Sequence, residues 1–98
     1  MQIIFLTLNV WNGGKLFDEI VAFIKKEDPD IVALQEMYNG TDPSLERQYR
    51  SFSEFKNALG YEHASFSPAF LDHLPPLPVE QGNAIYSKYP ILSTVTTF

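Results

Sequence analysis

Residues 3–36, IIFLTLNVWNGGKLFDEIVAFIKKEDPDIVALQE, decide the fold of this chain. The first part, residues 3–11, is nearly continuous in apolar and β-branched side chains. Such a run is typical of a strand that is buried on both faces. Gly13 and Gly14 follow, and glycine pairs of this kind turn the chain. The segment therefore begins with a buried strand that ends in a turn.

A helix and a second strand complete the segment. From residue 16 to 26, apolar side chains recur at the spacing of one helix face. Asp28-Pro29-Asp30 ends this helix, because proline disfavours helical geometry in the residue before it. Residues 31–34 are again apolar and predict a second buried strand. A strand, helix and strand at this spacing predict a right-handed crossover between parallel strands.

A second helix is predicted by its end signals. Asp42 suits the N-cap, Pro43 the first helical position and Gly60 the left-handed residue after the last turn. The apolar stripe expected on this helix consists of Leu45, Tyr49, Phe52, Phe55 and Leu59.

The remainder of the chain reads as strands joined by loops. Residues 61–66 predict a strand, 67–81 a long proline-rich loop, and 83–87 and 91–98 two further strands. The last strand ends without a polar tail, which favours a chain cut within a larger fold. The alternation of strand and helix patterns predicts an α/β protein.

Composition excludes several classes of function. The 98 residues are 45% hydrophobic and contain no cysteine, so this is one globular domain at most, without disulfides, thiolate metal ligands or a cysteine nucleophile. The net charge is −5 and no basic stripe that could follow a nucleic-acid backbone is visible, so a negatively charged substrate would need a bound cation to offset this charge. No basic leader or membrane-length apolar run is visible, so the default location is cytoplasmic.

Asn9 is out of place in an apolar strand, because an unpaired buried amide costs roughly 1 to 3 kcal/mol. The parallel crossover places Asn9 near the carboxyl end of the first strand and Glu36 just past the end of the second. Amide and carboxylate oxygens that converge there would suit Mg²⁺ or Mn²⁺. In the alternative interpretation, Asn9 fixes a neighbouring backbone segment and Glu36 caps a turn.

Other polar residues are weaker candidates. Gly82 would allow close approach of a backbone near the site, and Asn83 is a site residue or a turn residue. His63 and His73 are candidates for catalysis by their chemistry, but His63 is expected in a strand as a structural or surface residue. His73 is expected in a loop that either contacts substrate or is solvated, and the solvated loop is favoured. Trp11 is expected to pack beneath the site.

The three motifs LTLNVWN, DPDIVALQE and GNAIYSKYPI resemble strand motifs of the endonuclease/exonuclease/phosphatase superfamily, which has the DNase I-like fold. The resemblance covers most of the chain and implies a Mg²⁺-dependent or Mn²⁺-dependent phosphoesterase. It implies that Asn9 and Glu36 are catalytic residues that form the metal and phosphate site together. Glu36 would bind the metal directly, and Asn9 would orient the phosphate and the water shell of the metal. Gly82 and Asn83 are the further substrate-binding candidates.

The resemblance also implies what this chain lacks. The Asp-x-Asn and Asp-His pairs that the family uses for water attack are expected beyond residue 98, since Asp72-His73 in the predicted loop does not match the Asp-His pair by position. The resemblance therefore implies a mixed sheet with helices on one face, as the N-terminal half of a four-layer αββα sandwich that is inactive by itself. The whole enzyme would hydrolyse a phosphodiester or phosphomonoester, and its substrate would be a nucleic acid, a phospholipid or a small phosphate ester. The alternative is a non-catalytic scaffold that forms a homodimer through an exposed sheet face.

Overall fold

The computed structural model describes residues 2–75 and 78–91. The elements follow in the order β1 (Phe5–Asn9), α1 (Phe17–Glu27), β2 (Ile31–Tyr38), a short 3₁₀ helix (Arg47–Arg50), α2 (Ser51–Leu59), β3 (His63–Asp72) and β4 (Val79–Ser87). Of the predicted last strand, 91–98, all but the first residue lies outside the described residues.

The strands form one mixed sheet in the order β1-β2-β4-β3. β1 and β2 are parallel, and the pairs β2–β4 and β3–β4 are antiparallel. The predicted strand, helix and parallel strand are thus confirmed. Burial of β1 on both faces was a wrong prediction, because both helices pack on one face of the sheet and nothing in the described part of the chain covers the other face of β1. Phe5, for example, is 59% exposed.

Both helices pack on the same face of the sheet. One core cluster joins Phe17 and Ile24 of α1, Phe55 of α2, and alternate sheet residues such as Leu34 and Tyr86. Burial of this face accounts for helix placement, since each helix contributes an apolar stripe to it. The prediction of helices on one face is confirmed.

The opposite face of the sheet carries the residues that alternate with the core positions. These are small or polar side chains as well as apolar ones: Thr7, Asn9, Ala33, Gln35, Ser65, Ser67, Asn83 and Ile85. The homodimer through this face stays a prediction. No helix in the described part of the chain is long and apolar enough to cross a membrane.

α2 begins later than the sequence predicts. The Oδ1 of Asp42 accepts hydrogen bonds from the backbone N–H and the hydroxyl of Ser44, so Asp42 stabilises a local turn and is not a helix cap. The helix starts at Ser51, whose Oγ accepts the backbone N–H of Tyr38 at 2.7 Å and so joins α2 to β2. Gly60 ends the helix in the left-handed conformation, as predicted.

β3 and β4 form a long hairpin where the sequence predicts a loop over 67–81. β3 continues to Asp72 and β4 begins at Val79. The prolines suggested a loop, but Pro68 is tolerated because β3 is an edge strand with a register shift between Pro68 and Phe70. The hairpin lengthens the sheet beyond the carboxyl end of β1.

Candidate functional site

Asn9 and Glu36 meet at the carboxyl ends of the two parallel strands. Asn9 is the last residue of β1 and pairs in register with Gln35 of β2. Glu36 was predicted to follow β2, but it lies within this strand, at a register shift between Leu34 and Met37. The irregularity opposite β4 interrupts the alternation of β2 and directs the Glu36 carboxylate towards β1.

The two side chains are joined by a short hydrogen bond. Nδ2 of Asn9 donates to Oε2 of Glu36 at 2.6 Å, and Oε1 of Glu36 accepts the backbone N–H of Asn12 at 3.2 Å. Oδ1 of Asn9 in turn accepts the backbone N–H of Trp11 at 2.8 Å. Both carboxylate oxygens are therefore oriented by donors, while each keeps a lone pair for a further partner.

The backbone around this pair is strained. Trp11, Asn12 and Glu36 have φ angles of 57°, 48° and 60°, and Gly13 and Gly14 continue the left-handed run. Left-handed geometry in residues other than glycine costs of order 1 to 3 kcal/mol each and persists where surrounding contacts hold it. The hydrogen bond from the N–H of Gly13 to the carbonyl oxygen of Glu36, at 2.7 Å, is one such contact.

The donor set fits a metal with few protein ligands. Glu36 is half-buried and supplies one carboxylate, and among the described residues no three carboxylate or histidine side chains converge on one point. Mg²⁺ binds through one or two carboxylates and completes its shell with water and substrate phosphate. The pair is therefore suited to one part of a Mg²⁺ site, with Glu36 as ligand and Asn9 as the group that orients it.

Gly82 and Asn83 lie beside this pair in β4. The register places them opposite the shifted segment of β2, since Ala84 pairs with Leu34 and Gly82 with Met37. A Cβ on Gly82 would overlap the carbonyl oxygen of Ser67, so the closeness of β3 is sufficient reason for this glycine. Asn83 is a half-buried strand residue and does not form a turn. A role for either in substrate binding stays a prediction.

The histidines lie away from the pair. His63 aligns across the sheet with Ser87 and Ile31, at the opposite end of β2 from Glu36. His73 is exposed and follows β3. Trp11 does not pack beneath the site: it lies in the left-handed turn that follows β1 and is 68% exposed.

Sequence reasoning missed a second polar pair near the site. The Tyr38 hydroxyl donates to Oδ2 of Asp72 at 2.6 Å. Burial, followed by this hydrogen bond, raises the pKa of Tyr38, and the same hydrogen bond lowers the pKa of Asp72. No local sequence pattern predicts this pair, because 34 residues separate Tyr38 from Asp72 and the hairpin brings them together.

Comparisons with a protein-family model and with solved structures agree with the resemblance seen in the sequence motifs. A model of the Endonuclease/Exonuclease/phosphatase family matches residues 6–98. The crystal structure of an endonuclease/exonuclease/phosphatase from Beutenbergia cavernae DSM 12333 is similar, with a TM-score of 0.75 and 22% sequence identity. The match covers 94% of this chain and 27% of that one. At this identity the likeness shows the fold, so the predicted DNase I-like architecture is confirmed. No curated protein matches the chain.

Proposed function

Because this chain belongs to the endonuclease/exonuclease/phosphatase family, we propose that it supplies the metal-binding part of a Mg²⁺-dependent or Mn²⁺-dependent phosphoesterase site. The observation that carries the proposal is the 2.6 Å hydrogen bond between Asn9 and Glu36 at the carboxyl ends of parallel strands. This is where ligands collect in open α/β sheets. A carboxylate that only caps a turn would not need a side-chain amide from the neighbouring strand.

Each residue of the pair has a distinct task in this proposal. Glu36 is the metal ligand, and a divalent cation bound there would offset the charge of a phosphate ester and stabilise its oxygens. Asn9 holds the carboxylate with one hydrogen of Nδ2, and the second hydrogen remains available for a phosphate oxygen. A neutral amide suits this position because another negative charge would oppose phosphate binding.

The proposal assigns this chain only part of the chemistry. The chain spans 27% of the similar structure, and the groups that activate water for in-line attack are proposed to lie outside residues 1–98. We therefore expect the 98-residue chain to bind a divalent cation without hydrolysing phosphate esters. Gly82 and Asn83 would border the phosphate from β4.

A titration with Mn²⁺, followed by NMR, tests the metal site. Mn²⁺ broadens signals of nearby nuclei, so the Asn9 side-chain amide and the backbone N–H of Asn12 should broaden first. Glu36→Gln removes the charge but keeps the shape, and broadening at these signals should disappear. Glu27→Gln, an exposed carboxylate at the end of α1, is the matched control and should change nothing.

Unspecific binding of Mn²⁺ to surface carboxylates is the result that would contradict the proposal. With a net charge of −5, unspecific Mn²⁺ binding would broaden signals near many carboxylates at once. If the broadening is spread in this way, or if it persists at Asn12 in Glu36→Gln, the pair is not a metal site. Broadening that is confined to the signals of Asn9 and Asn12, and that is reversed when Mg²⁺ competes with Mn²⁺, would support the proposal.

A further inference from the structure

The edge of β2 that faces β1 loses its strand neighbour just before Glu36. The pairing of β1 with β2 ends at Gln35, whose carbonyl oxygen accepts the backbone N–H of Val10 at 3.2 Å. The next carbonyl oxygen, that of Glu36, accepts the N–H of Gly13 at 2.7 Å and so faces the same edge. Successive carbonyls of a regular strand point to opposite edges. The alternation of β2 is therefore reversed at Glu36, where φ is 60°.

A serine hydroxyl takes the place of a strand at this edge. Oγ of Ser51, the first residue of α2, accepts the backbone N–H of Tyr38 at 2.7 Å and donates to the carbonyl oxygen of the same residue at 3.3 Å. Residues of neighbouring antiparallel strands exchange two hydrogen bonds in a similar way. Ser51 is 0% exposed, so solvent does not compete for these bonds.

The 3₁₀ helix that precedes Ser51 contacts both sides of the strained segment. A Cβ on Gly13 would overlap the carbonyl oxygen of Gln48, so this helix lies directly against the left-handed turn after β1. The N–H of Gly40, just beyond β2, donates to the carbonyl oxygen of Tyr49 at 2.8 Å. Residues 47–51 therefore run along the free edge of β2, and Ser51 is their hydrogen-bonded contact with the strand itself.

We propose that Ser51 is a positioning residue of the site, which acts through Tyr38 to keep the backbone of Glu36 in its left-handed conformation. Without the hydroxyl, the N–H of Tyr38 would be buried and unpaired at the edge where the reversed strand places it. The backbone would then relax from the strained geometry, because strain of this kind persists only where surrounding contacts hold it. The Glu36 carboxylate would leave its donors on Asn9 and Asn12.

The two halves of this inference have different foundations. That Ser51 fixes the backbone of Glu36 follows from the contacts along the edge of β2 and needs no metal. That the fixed carboxylate serves a divalent cation rests on the proposed function. The experiment therefore begins with the metal-free chain.

Amide hydrogen exchange of the metal-free 98-residue chain, followed by NMR, tests the first half. The N–H of Gly13 reports the position of Glu36 because it donates to the Glu36 carbonyl oxygen. In Ser51→Ala its exchange should be about tenfold faster, and the side-chain amide signal of Asn9 should shift. Ser51→Cys keeps a weak donor and acceptor of similar size, so its values should lie between those of wild type and Ser51→Ala.

Tyr86→Phe is the matched control for loss of stability. The Tyr86 hydroxyl also joins the sheet to α2, since it donates to the carbonyl oxygen of Phe52 at 2.7 Å, and Tyr86 is fully buried. It pairs with Val32, nearer the other end of β2 than Glu36. Tyr86→Phe should lower the melting temperature, as Ser51→Ala does, but it should leave the exchange of Gly13 and the amide signal of Asn9 unchanged.

A titration with Mn²⁺ tests the second half. Loss of a group that orients a metal ligand typically weakens metal binding by 10- to 100-fold. Ser51→Ala should therefore bind Mn²⁺ about tenfold more weakly, measured by broadening of the Asn12 N–H signal, whereas Tyr86→Phe should bind as wild type does.

The inference is wrong if Ser51→Ala leaves the exchange of Gly13 and the Asn9 amide signal unchanged, or if Tyr86→Phe changes them equally. The second result would mean that Ser51 contributes to global stability alone. If Ser51→Ala does not fold, the Ser51→Cys values decide in the same way. Expected changes at Gly13 and Asn9 in a chain whose wild type binds no Mn²⁺ would support the positioning by Ser51 and reject the metal site.

Discussion

Replacing Gly82 with alanine should lower the free energy of unfolding through crowding between strands, although Gly82 does not have a left-handed φ. The new Cβ would overlap the carbonyl oxygen of Ser67 and lie 2.8 Å from the Cα of Pro68. Both neighbours are backbone atoms of β3, so no side-chain rotation can relieve the overlap. Either the pairing of β3 with β4 opens locally or the two strands move apart.

The size of this effect follows from known costs of overpacking. Extra methyl groups in tightly packed sites cost about 1 to 3 kcal/mol, and a rigid backbone neighbour puts Gly82→Ala near 3 kcal/mol. In a domain of this length, a loss of 3 kcal/mol corresponds to a fall of roughly 12 to 24 °C in melting temperature. Circular dichroism during thermal and urea unfolding measures the loss.

Gly60→Ala is the control because Gly60 has a left-handed φ but no crowding, whereas Gly82 has crowding but no left-handed φ. Gly60 has a φ of 76°, but no atom lies within 4 Å of the position that a Cβ would take. Alanine would therefore add only backbone strain, about 1 to 2 kcal/mol. Gly82 has the crowding without a left-handed φ. If Gly82→Ala destabilises the protein no more than Gly60→Ala, the close approach of β3 is not what requires this glycine.

Two further substitutions test the polar contacts that position the sheet. Ser51→Ala should lower the free energy of unfolding by about 1 to 3 kcal/mol, because it leaves the buried N–H of Tyr38 without a partner. The exposed Ser53→Ala should change it by less than about 0.5 kcal/mol in the same urea titration, and equal losses would contradict the argument. Asp72→Asn should destabilise the protein at pH 7. The hydrogen bond from Tyr38 lowers the pKa of Asp72 below its ordinary 3.8, so this stabilisation is present above that pH and lost as the pH falls further. The stability gap between wild type and variant should therefore close below about pH 3.8, whereas a gap independent of pH would exclude this cause.

The sequence predicts those parts of the fold that depend on local patterns. β1, α1 and β2 follow from apolar periodicity, from Gly13 and Gly14, and from the Asp28-Pro29-Asp30 stop, all of which act within a few residues. The burial of β1 could not be predicted in the same way. A continuous apolar run is the same in a central and in an edge strand, and strand order is set by contacts distant in sequence.

The hairpin and the start of α2 show how local signals are overruled. Pro68 is a loop residue by propensity, yet an edge strand with a register shift accommodates it. Asp42 has the chemistry of a helix cap but finds its partners in Ser44, and Ser51 begins the helix by binding β2. In both cases the deciding contact comes from tertiary structure.

The position of Glu36 depends both on local sequence signals and on tertiary contacts. Its proximity to Asn9 follows from the parallel crossover and could be predicted, but its place inside β2 depends on the register shift against β4. That shift gives Glu36 a φ of 60°, which a glycine would adopt at lower cost, although glycine would provide no carboxylate. The chain keeps glutamate at a strained position and aligns both of its oxygens with donors from Asn9 and Asn12. A turn cap can be placed without strain, whereas a ligand must be held in one orientation before its partner binds. The combination of strain and alignment at Glu36 therefore favours binding over a purely structural role.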